Sequence, residues 1–149
     1  MIRALIVAAL LLGGPAMAQP APRPGVAGEA AFVEHRLALQ LSDATPAKQA
    51  LVLSVANNVL KSYGPDKVAI EIVALGPGLE LLHEGNPNAV RIRSLAAQGV
   101  RFDACMNTLT TIERETGKPY VLLPEAHRVE AGVVQLMTLH EHGYTIIRP

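Results

Sequence analysis

Apolar and polar positions alternate along this chain in segments that predict strands and helices in turn. Residues 35–41 predict a first strand, and residues 67–75 are so continuously apolar that they predict a strand buried on both faces. Between them, Thr45-Pro46 supplies a capping hydroxyl and a proline for the first helical position, and Gly64-Pro65 ends the helix. This helix carries one apolar stripe at helical spacing. The stripe consists of Leu51, Val52, Val55, Ala56, Val59 and Leu60.

The second half of the chain continues the alternation. It predicts helices over residues 88–98, 108–115 and 130–142, and strands over residues 100–104, 120–123 and 144–147. The last helix carries Val133, Val134, Leu136, Met137 and His140. Strands that alternate with helices favour an α/β fold with a mostly parallel sheet of about five strands, covered on both faces. In such sheets the functional crevice lies at the carboxyl ends of the strands.

The first 18 residues have the order of a cleavable export signal. A positive start at Arg3 precedes an apolar run over residues 4–13, and Ala16-Met17-Ala18 places small residues where a signal peptidase cuts. The run is too short to span a bilayer, and no cysteine follows it to carry a lipid. We therefore expect an exported protein, periplasmic in a Gram-negative cell, with no stable membrane anchor. The alternative is an apolar N-terminus that is not cleaved.

Composition predicts one domain after this signal. Residues 19–34 begin with a Pro- and Ala-rich stretch and predict a flexible leader, and residues 35–149 predict a single domain. Tryptophan is absent and aromatic residues make up 3% of the chain, so the core must be aliphatic. The 13 basic residues balance the 13 acidic ones. Binding to nucleic acid through bulk charge is therefore not expected.

The chain has one cysteine, Cys105, which excludes a disulfide within the chain. It lies at the end of a predicted strand, just before a predicted helix for which Asn107 is one candidate cap and the Thr110/Glu113 pair another. A thiol at a helix N-terminus faces unpaired amide N–H groups, which favour the thiolate and lower its pKa. The alternative is a buried, inert thiol that packs as a small apolar group.

The remaining candidates are weaker. Gly76-Pro77-Gly78 would bring backbone amides to an anion, or would simply form a tight turn after the second strand. His83 follows this turn and is a candidate for the same crevice as Cys105. The five histidines lack the spacing of a zinc site, so no metal and no cofactor are predicted. Carboxylates are scattered and predict no pair.

Several segments, taken in order, resemble the DsrE/DsrF-like family over roughly residues 35–149. They are Asn57-Asn58-Val59-Leu60, Gly76-Pro77-Gly78, residues 99–109, and residues 132–136 leading to Gly143-Tyr144. Residues 99–108, Gly-Val-x-Phe-x-Ala-Cys-x-Asn-Thr, carry the most specific part, and the match is closest to the stand-alone, often exported members. The resemblance implies a flavodoxin-like α/β sandwich that assembles as a homotrimer or homohexamer. It also implies that Cys105 carries sulfane sulfur as a persulfide.

Three functions follow as hypotheses. In the first, Cys105 is the reactive residue of a sulfur carrier or sulfurtransferase, and Asn107 and Thr108 hydrogen-bond the anionic sulfur. A lone cysteine cannot resolve its own persulfide, so transfer would need a thiol or other sulfane-sulfur donor and acceptor as partners. In the second, the crevice binds a small ligand without catalysis. In the third, the protein is a structural oligomer and Cys105 is buried.

Overall fold

A computed structural model describes residues 33–149 of the chain. The predicted signal, residues 1–18, lies outside these residues, as does the predicted leader, residues 19–34, apart from Val33 and Glu34. Among residues 33–149, no helix combines the length and the apolar character needed to cross a membrane.

Strands and helices alternate throughout residues 33–149. The strands are β1 (His35–Leu41), β2 (Val68–Ala74), β3 (Arg101–Cys105), β4 (Ala126–Val129) and β5 (Thr145–Ile147). The helices are α1 (Pro46–Tyr63), α2 (Ala89–Ala96), α3 (Met106–Thr116) and α4 (Gly132–Glu141). A 3₁₀ segment (Gly76–Leu82) lies between β2 and α2.

The five strands found within residues 33–149 form one all-parallel sheet in the order β4-β3-β2-β1-β5. The chain moves in one direction across the sheet from β1 to β4, and α1, α2 and α3 pack on one face. It then returns past three strands to β5, and α4 packs on the opposite face. The predicted α/β class, with a flavodoxin-like three-layer sandwich, is confirmed.

The main core lies between the sheet and α1 to α3, and it is mostly aliphatic. The predicted stripe of α1 places Val52, Ala56 and Leu60 in this core. It was wrong at its edge, because Leu51 is 43% exposed while Leu53 is fully buried. Strand β2 is buried on both faces, as predicted, because it is the central strand of the sheet.

The prediction of a strand over residues 120–123 was wrong, and β4 comes later in the chain. Within that segment, Leu122 makes one antiparallel bridge with His83, and the N–H of Leu123 donates to the carbonyl of Leu82. Strand β4 itself has the sequence Ala-His-Arg-Val. Its polar residues give no strand signal, because an edge strand does not need continuous apolar character.

The capping prediction for α3 was also wrong. The helix begins directly after β3, with Cys105 itself at the N-cap, so Thr110 lies inside the helix. The carboxylate of Glu113 instead accepts the backbone N–H of Tyr120 at 2.9 Å. The helix N-terminus is therefore closer to the thiol than the sequence predicted.

Gly78 fixes the turn after β2 against the end of β1. A Cβ atom at this position would overlap the carbonyl oxygen of Leu41, and it would lie 3.0 Å from the Cα of Ser42. The N–H of Gly78 also donates to the carbonyl of Leu75 at 3.1 Å. The contact is with backbone atoms, which cannot rotate away, so only glycine fits.

We expect Gly78→Ala to lower the free energy of unfolding by about 3 kcal/mol, because the backbone of the turn or of β1 must move. Urea unfolding monitored by circular dichroism measures this change. Gly85→Ala is the matched control, since a Cβ there meets only the side-chain ring of His83, at 3.3 Å. Equal stability of the two variants would contradict this account of the turn.

Candidate functional site

The chain changes from one face of the sheet to the other at the carboxyl ends of β3 and β4. These strands are neighbours, but β3 leads into α3 on one face of the sheet and β4 leads towards α4 on the other. Connections that diverge from adjacent parallel strands leave an opening between them, which is where ligands bind in open α/β sheets. Cys105 ends β3, and Gly132 begins α4, so both residues lie at this change of face.

The thiol of Cys105 is enclosed by hydrogen-bond donors. The residue is 6% exposed, and its Sγ accepts the backbone N–H of Gly132 at 3.2 Å. The hydroxyl of Thr108 and the backbone N–H groups of Asn107 and Thr108 lie near the sulfur in the first turn of α3, where they act on its ionisation, and the N–H of Asn107 donates to the carbonyl of Glu130 at 3.3 Å. The sulfur therefore lies between the N-termini of two helices, α3 and α4.

These donors decide the ionisation of the thiol. Burial is the largest influence and by itself raises the pKa of Cys105. The hydrogen bond from the Thr108 side chain opposes it, followed by the N–H groups of Gly132, Thr108 and Asn107. Together they outweigh burial, so the pKa lies below that of an ordinary thiol. The arrangement favours a thiolate, which is the nucleophilic form of cysteine.

Thr108 is itself held in place by the turn after β2. The backbone N–H of Gly76 donates to Thr108 Oγ1 at 2.9 Å. Because the hydroxyl oxygen accepts this bond, its own proton remains free to point at the sulfur of Cys105. The predicted Gly76-Pro77-Gly78 segment thus reaches the thiol through Thr108. The N–H groups of Gly76 and Gly78 both have protein acceptors, which supports the tight-turn interpretation of this segment.

A cleft of about 480 Å³ lies beside the thiol. Its lining residues are Gly76, Pro77, Asn107, Thr108, Thr111 and Ile112. Four of the residues predicted for the site therefore meet in one cleft. Cys105 is not part of the lining, but Thr108 both lines the cleft and bonds the sulfur, so a single side chain separates them.

His83 has its contacts in another part of the molecule. Its Nδ1 accepts the N–H of Gly85 at 3.1 Å, and its ring centroid lies 4.8 Å from that of Tyr120. It does not line the cleft that Thr108 and Gly76 form. Within residues 33–149, no three His, Cys, Asp or Glu side chains are grouped to hold a metal ion.

The prediction that the carboxylates form no pair was wrong. Glu71 on β2 and Asp103 on β3 are fully buried, on the face of the sheet that α4 covers. The Nε of Arg101 lies 2.8 Å from Asp103 and 3.8 Å from Glu71, and Gln135 of α4 donates to both carboxylates. Burial raises the pKa of Asp103, against hydrogen bonds from Glu71, Arg101 and Gln135 and the Arg101 charge.

The sequence also gave no site role to Gly132. A Cβ on this glycine would lie 3.3 Å from Cys105 Cβ and 3.0 Å from Leu75 Cβ, so glycine lets the amide approach the sulfur. No local pattern in the sequence records the pairing of strands about 30 residues apart. The same is true of the close approach of the start of a helix to the end of a strand.

Comparison with known proteins supports the fold and leaves the activity open. No model of a protein family matches this sequence, and no curated protein matches it. Among solved structures, the chain is similar to MTH1491 of Methanobacterium thermoautotrophicum, which is described as a protein of unknown function. The two are 28% identical with a TM-score of 0.69, over 77% of this chain and 99% of that chain. Membership of the DsrE/DsrF-like family therefore stays a prediction.

We expect Thr108→Val to raise the midpoint at which Cys105 ionises, because valine keeps the shape of threonine and removes the proton donor to the thiolate. The rate of alkylation by iodoacetamide, followed against pH, measures this midpoint. The free energy of unfolding should also fall by about 1 to 3 kcal/mol, because the Gly76 N–H loses its acceptor.

Thr108→Ser is the matched control, since it keeps the hydroxyl and should hold the midpoint near that of the unaltered chain. A Thr108→Val midpoint equal to that of Thr108→Ser would mean that the hydroxyl does not stabilise the thiolate.

Proposed function

We propose that this chain is an exported sulfur carrier, or sulfurtransferase, that holds sulfane sulfur as a persulfide on Cys105. The observation that carries the proposal is the set of donors that converge on the Cys105 sulfur from two helix N-termini. A buried inert thiol needs no such donors. The resemblance of residues 99–109 to DsrE/DsrF-like proteins points to the same residue and the same chemistry.

The chemistry balances without an external oxidant. The Cys105 thiolate attacks a sulfane sulfur of a polysulfide, forming one S–S bond while the S–S bond of the donor breaks and its electron pair leaves with the shortened polysulfide. In the second step, an acceptor thiolate attacks the outer sulfur, and Cys105 leaves as a thiolate. A lowered pKa suits both steps, because the thiolate is first the nucleophile and then the leaving group.

Intact mass measurement tests this proposal directly. The reduced chain is treated with a polysulfide donor, beside Cys105→Ser. We expect the unaltered chain to gain at least one sulfur atom that cyanide or a reductant removes, and the variant to gain none. No gain in the unaltered chain, with Cys105 alkylated only after unfolding, would contradict the proposal and indicate a buried structural thiol.

Binding of a small ligand without catalysis is the second candidate. It is favoured by one observation, that Cys105 is buried and does not line the neighbouring cleft. A binding protein of this kind would keep its affinity for a ligand in Cys105→Ala. A sulfur carrier would lose all sulfur uptake in the same variant, so one substitution separates the two functions.

We also propose that copies of this chain associate through α4. Val133, Val134 and Met137 are each about 60% exposed on this helix, although their apolar character would favour burial. A single helix about 10 Å wide covers a face of five strands that is about 24 Å across. A second copy of the chain would cover the apolar surface of α4, which agrees with the oligomers that the family resemblance implies.

We expect Met137→Lys to shift the chain towards the monomer in light scattering coupled to gel filtration, because a charge would be buried at the contact. Val90→Lys is the matched control, since Val90 is 75% exposed on α2, on the opposite face of the sheet. A monomeric unaltered chain, or equal disruption by both substitutions, would contradict association through α4.

A further inference from the structure

Gln135 makes the polar contacts that join the inner face of α4 to the centre of the sheet. Its Nε2 donates to Glu71 Oε2 at 3.2 Å and to Asp103 Oδ2 at 3.3 Å. A primary amide has two N–H donors, and both are used here, one for each carboxylate. Gln135 is 9% exposed and both carboxylates are fully buried, so water does not compete for these bonds.

This contact lies next to the contact that stabilises the thiol. Gln135 is three residues after Gly132, on the same side of α4, and Asp103 is two residues before Cys105, on the same face of β3. The helix and the strand are therefore joined by two parallel contacts. One is Gln135 to Asp103 at 3.3 Å, and the other is the Gly132 N–H to Cys105 Sγ at 3.2 Å. They are about 5 Å apart along the helix and about 7 Å apart along the strand.

The segment that leads into α4 is tied to the start of α3, because the carbonyl of Glu130 accepts the N–H of Asn107 at 3.3 Å. The N-cap residue of α4 is Ala131, which makes no side-chain hydrogen bond to the helix. The residues that follow Gly132, Val133 and Val134, point to the exposed surface. The apolar contacts of α4 with the sheet come from Leu136 and Leu139, further along the helix. After Gly132, the next inward-facing side chain is Gln135, so Gln135 makes the first side-chain contact that holds α4 itself against the sheet.

We infer that Gln135 is a positioning residue for the thiol site: by bridging Glu71 and Asp103, it fixes α4 at the distance where the Gly132 amide donates to the Cys105 sulfur. The inference rests on the proposed role of Cys105 as a thiolate, but not on what the thiolate attacks. The hydrogen bond from α4 to the sulfur comes from Gly132, and Gln135 does not line the cleft, so Gln135 acts on the thiol through the placement of Gly132 and through the charge of Asp103.

The ionisable side chains on the α4 face belong mainly to the strands of the sheet. On the α4 face, the strands carry the ionisable side chains Glu71 on β2, Arg101 and Asp103 on β3, and His127 on β4, which pairs in register with Asp103, and the Tyr144 hydroxyl donates to Glu71 at 3.5 Å. The first turn of α4 contributes no acidic side chain. Replacing Gln135 also removes a hydrogen bond that lowers the pKa of Asp103. A neutral Asp103 would lower the pKa of Cys105, so a rise in the Cys105 midpoint reports the loss of hydrogen bonding and not this change in charge.

The test is a pH titration of the thiolate by its ultraviolet absorbance, with Cys105→Ser as the blank. This readout does not need a reagent to reach the buried sulfur. Gln135→Met keeps the length of the side chain and removes both donors, and Gln135→Asn keeps the donors on a chain one methylene shorter. We expect the pH midpoint of Cys105 ionisation to rise in Gln135→Asn and to rise further in Gln135→Met. Iodoacetamide should alkylate Gln135→Met roughly three- to tenfold more slowly at a pH below the midpoint.

Leu139→Val is the matched control, because it removes buried volume from the apolar part of α4 without touching the polar contacts. We expect it to lower the melting temperature and leave the midpoint unchanged. If both Gln135 variants lose stability but ionise at the midpoint of the unaltered chain, Gln135 is only structural and the inference is wrong. If Gln135→Met does not fold, Gln135→Asn alone decides.

The outcome is independent of the sulfur-carrier proposal. A chain that takes up no sulfur, but whose thiol midpoint rises in the Gln135 variants, keeps the positioning role and loses the proposed function. A chain that takes up sulfur, but whose thiol midpoint is unchanged in the Gln135 variants, keeps the proposed function and loses the positioning role.

Discussion

The close approach of Gly132 to the ends of two strands is the constraint on which the site depends. Because this position carries no side chain, the start of α4 can lie against Leu75 of the β2 end and Cys105 of the β3 end. The same approach brings a backbone N–H to the sulfur. It is made where adjacent strands lead to helices on opposite faces, so the long return of the chain to β5 supplies one of the donors to the sulfur.

The two faces of the sheet are stabilised in different ways. The face under α1 to α3 has a large aliphatic core, whereas the face under α4 has a small apolar cluster beside buried carboxylates. Apolar contacts tolerate small shifts of a helix, but hydrogen bonds between buried polar groups lose most of their value when the distance changes. A polar contact at Gln135 therefore defines the position of α4 more narrowly than further leucines would.

The sequence predicted what local patterns determine. Three local signals located almost every element: apolar periodicity, Thr45-Pro46 at the start of α1, and the glycines after the helices. The position of Cys105 just before a predicted helix identified it as the candidate thiol. Local patterns did not predict the features that depend on pairing between strands. Strand β4 is polar and short, and its place in the sheet comes from its register with β3. The partnership of Glu71 and Asp103 depends on the register of β2 and β3, which no local spacing records.

Stabilising the thiolate and exposing it are opposing requirements at Cys105. Each donor that offsets the cost of burial also occupies a direction from which a substrate would approach the sulfur. Gly132 and Leu75 pack closely against one side, whereas Thr108 forms both the wall of the cleft and a hydrogen bond to the sulfur. The outer sulfur of the proposed persulfide would reach this cleft if the Thr108 side chain moved aside, because that side chain separates Cys105 from the cleft. The Gly132 N–H of α4 would continue to donate to the inner sulfur from the opposite side.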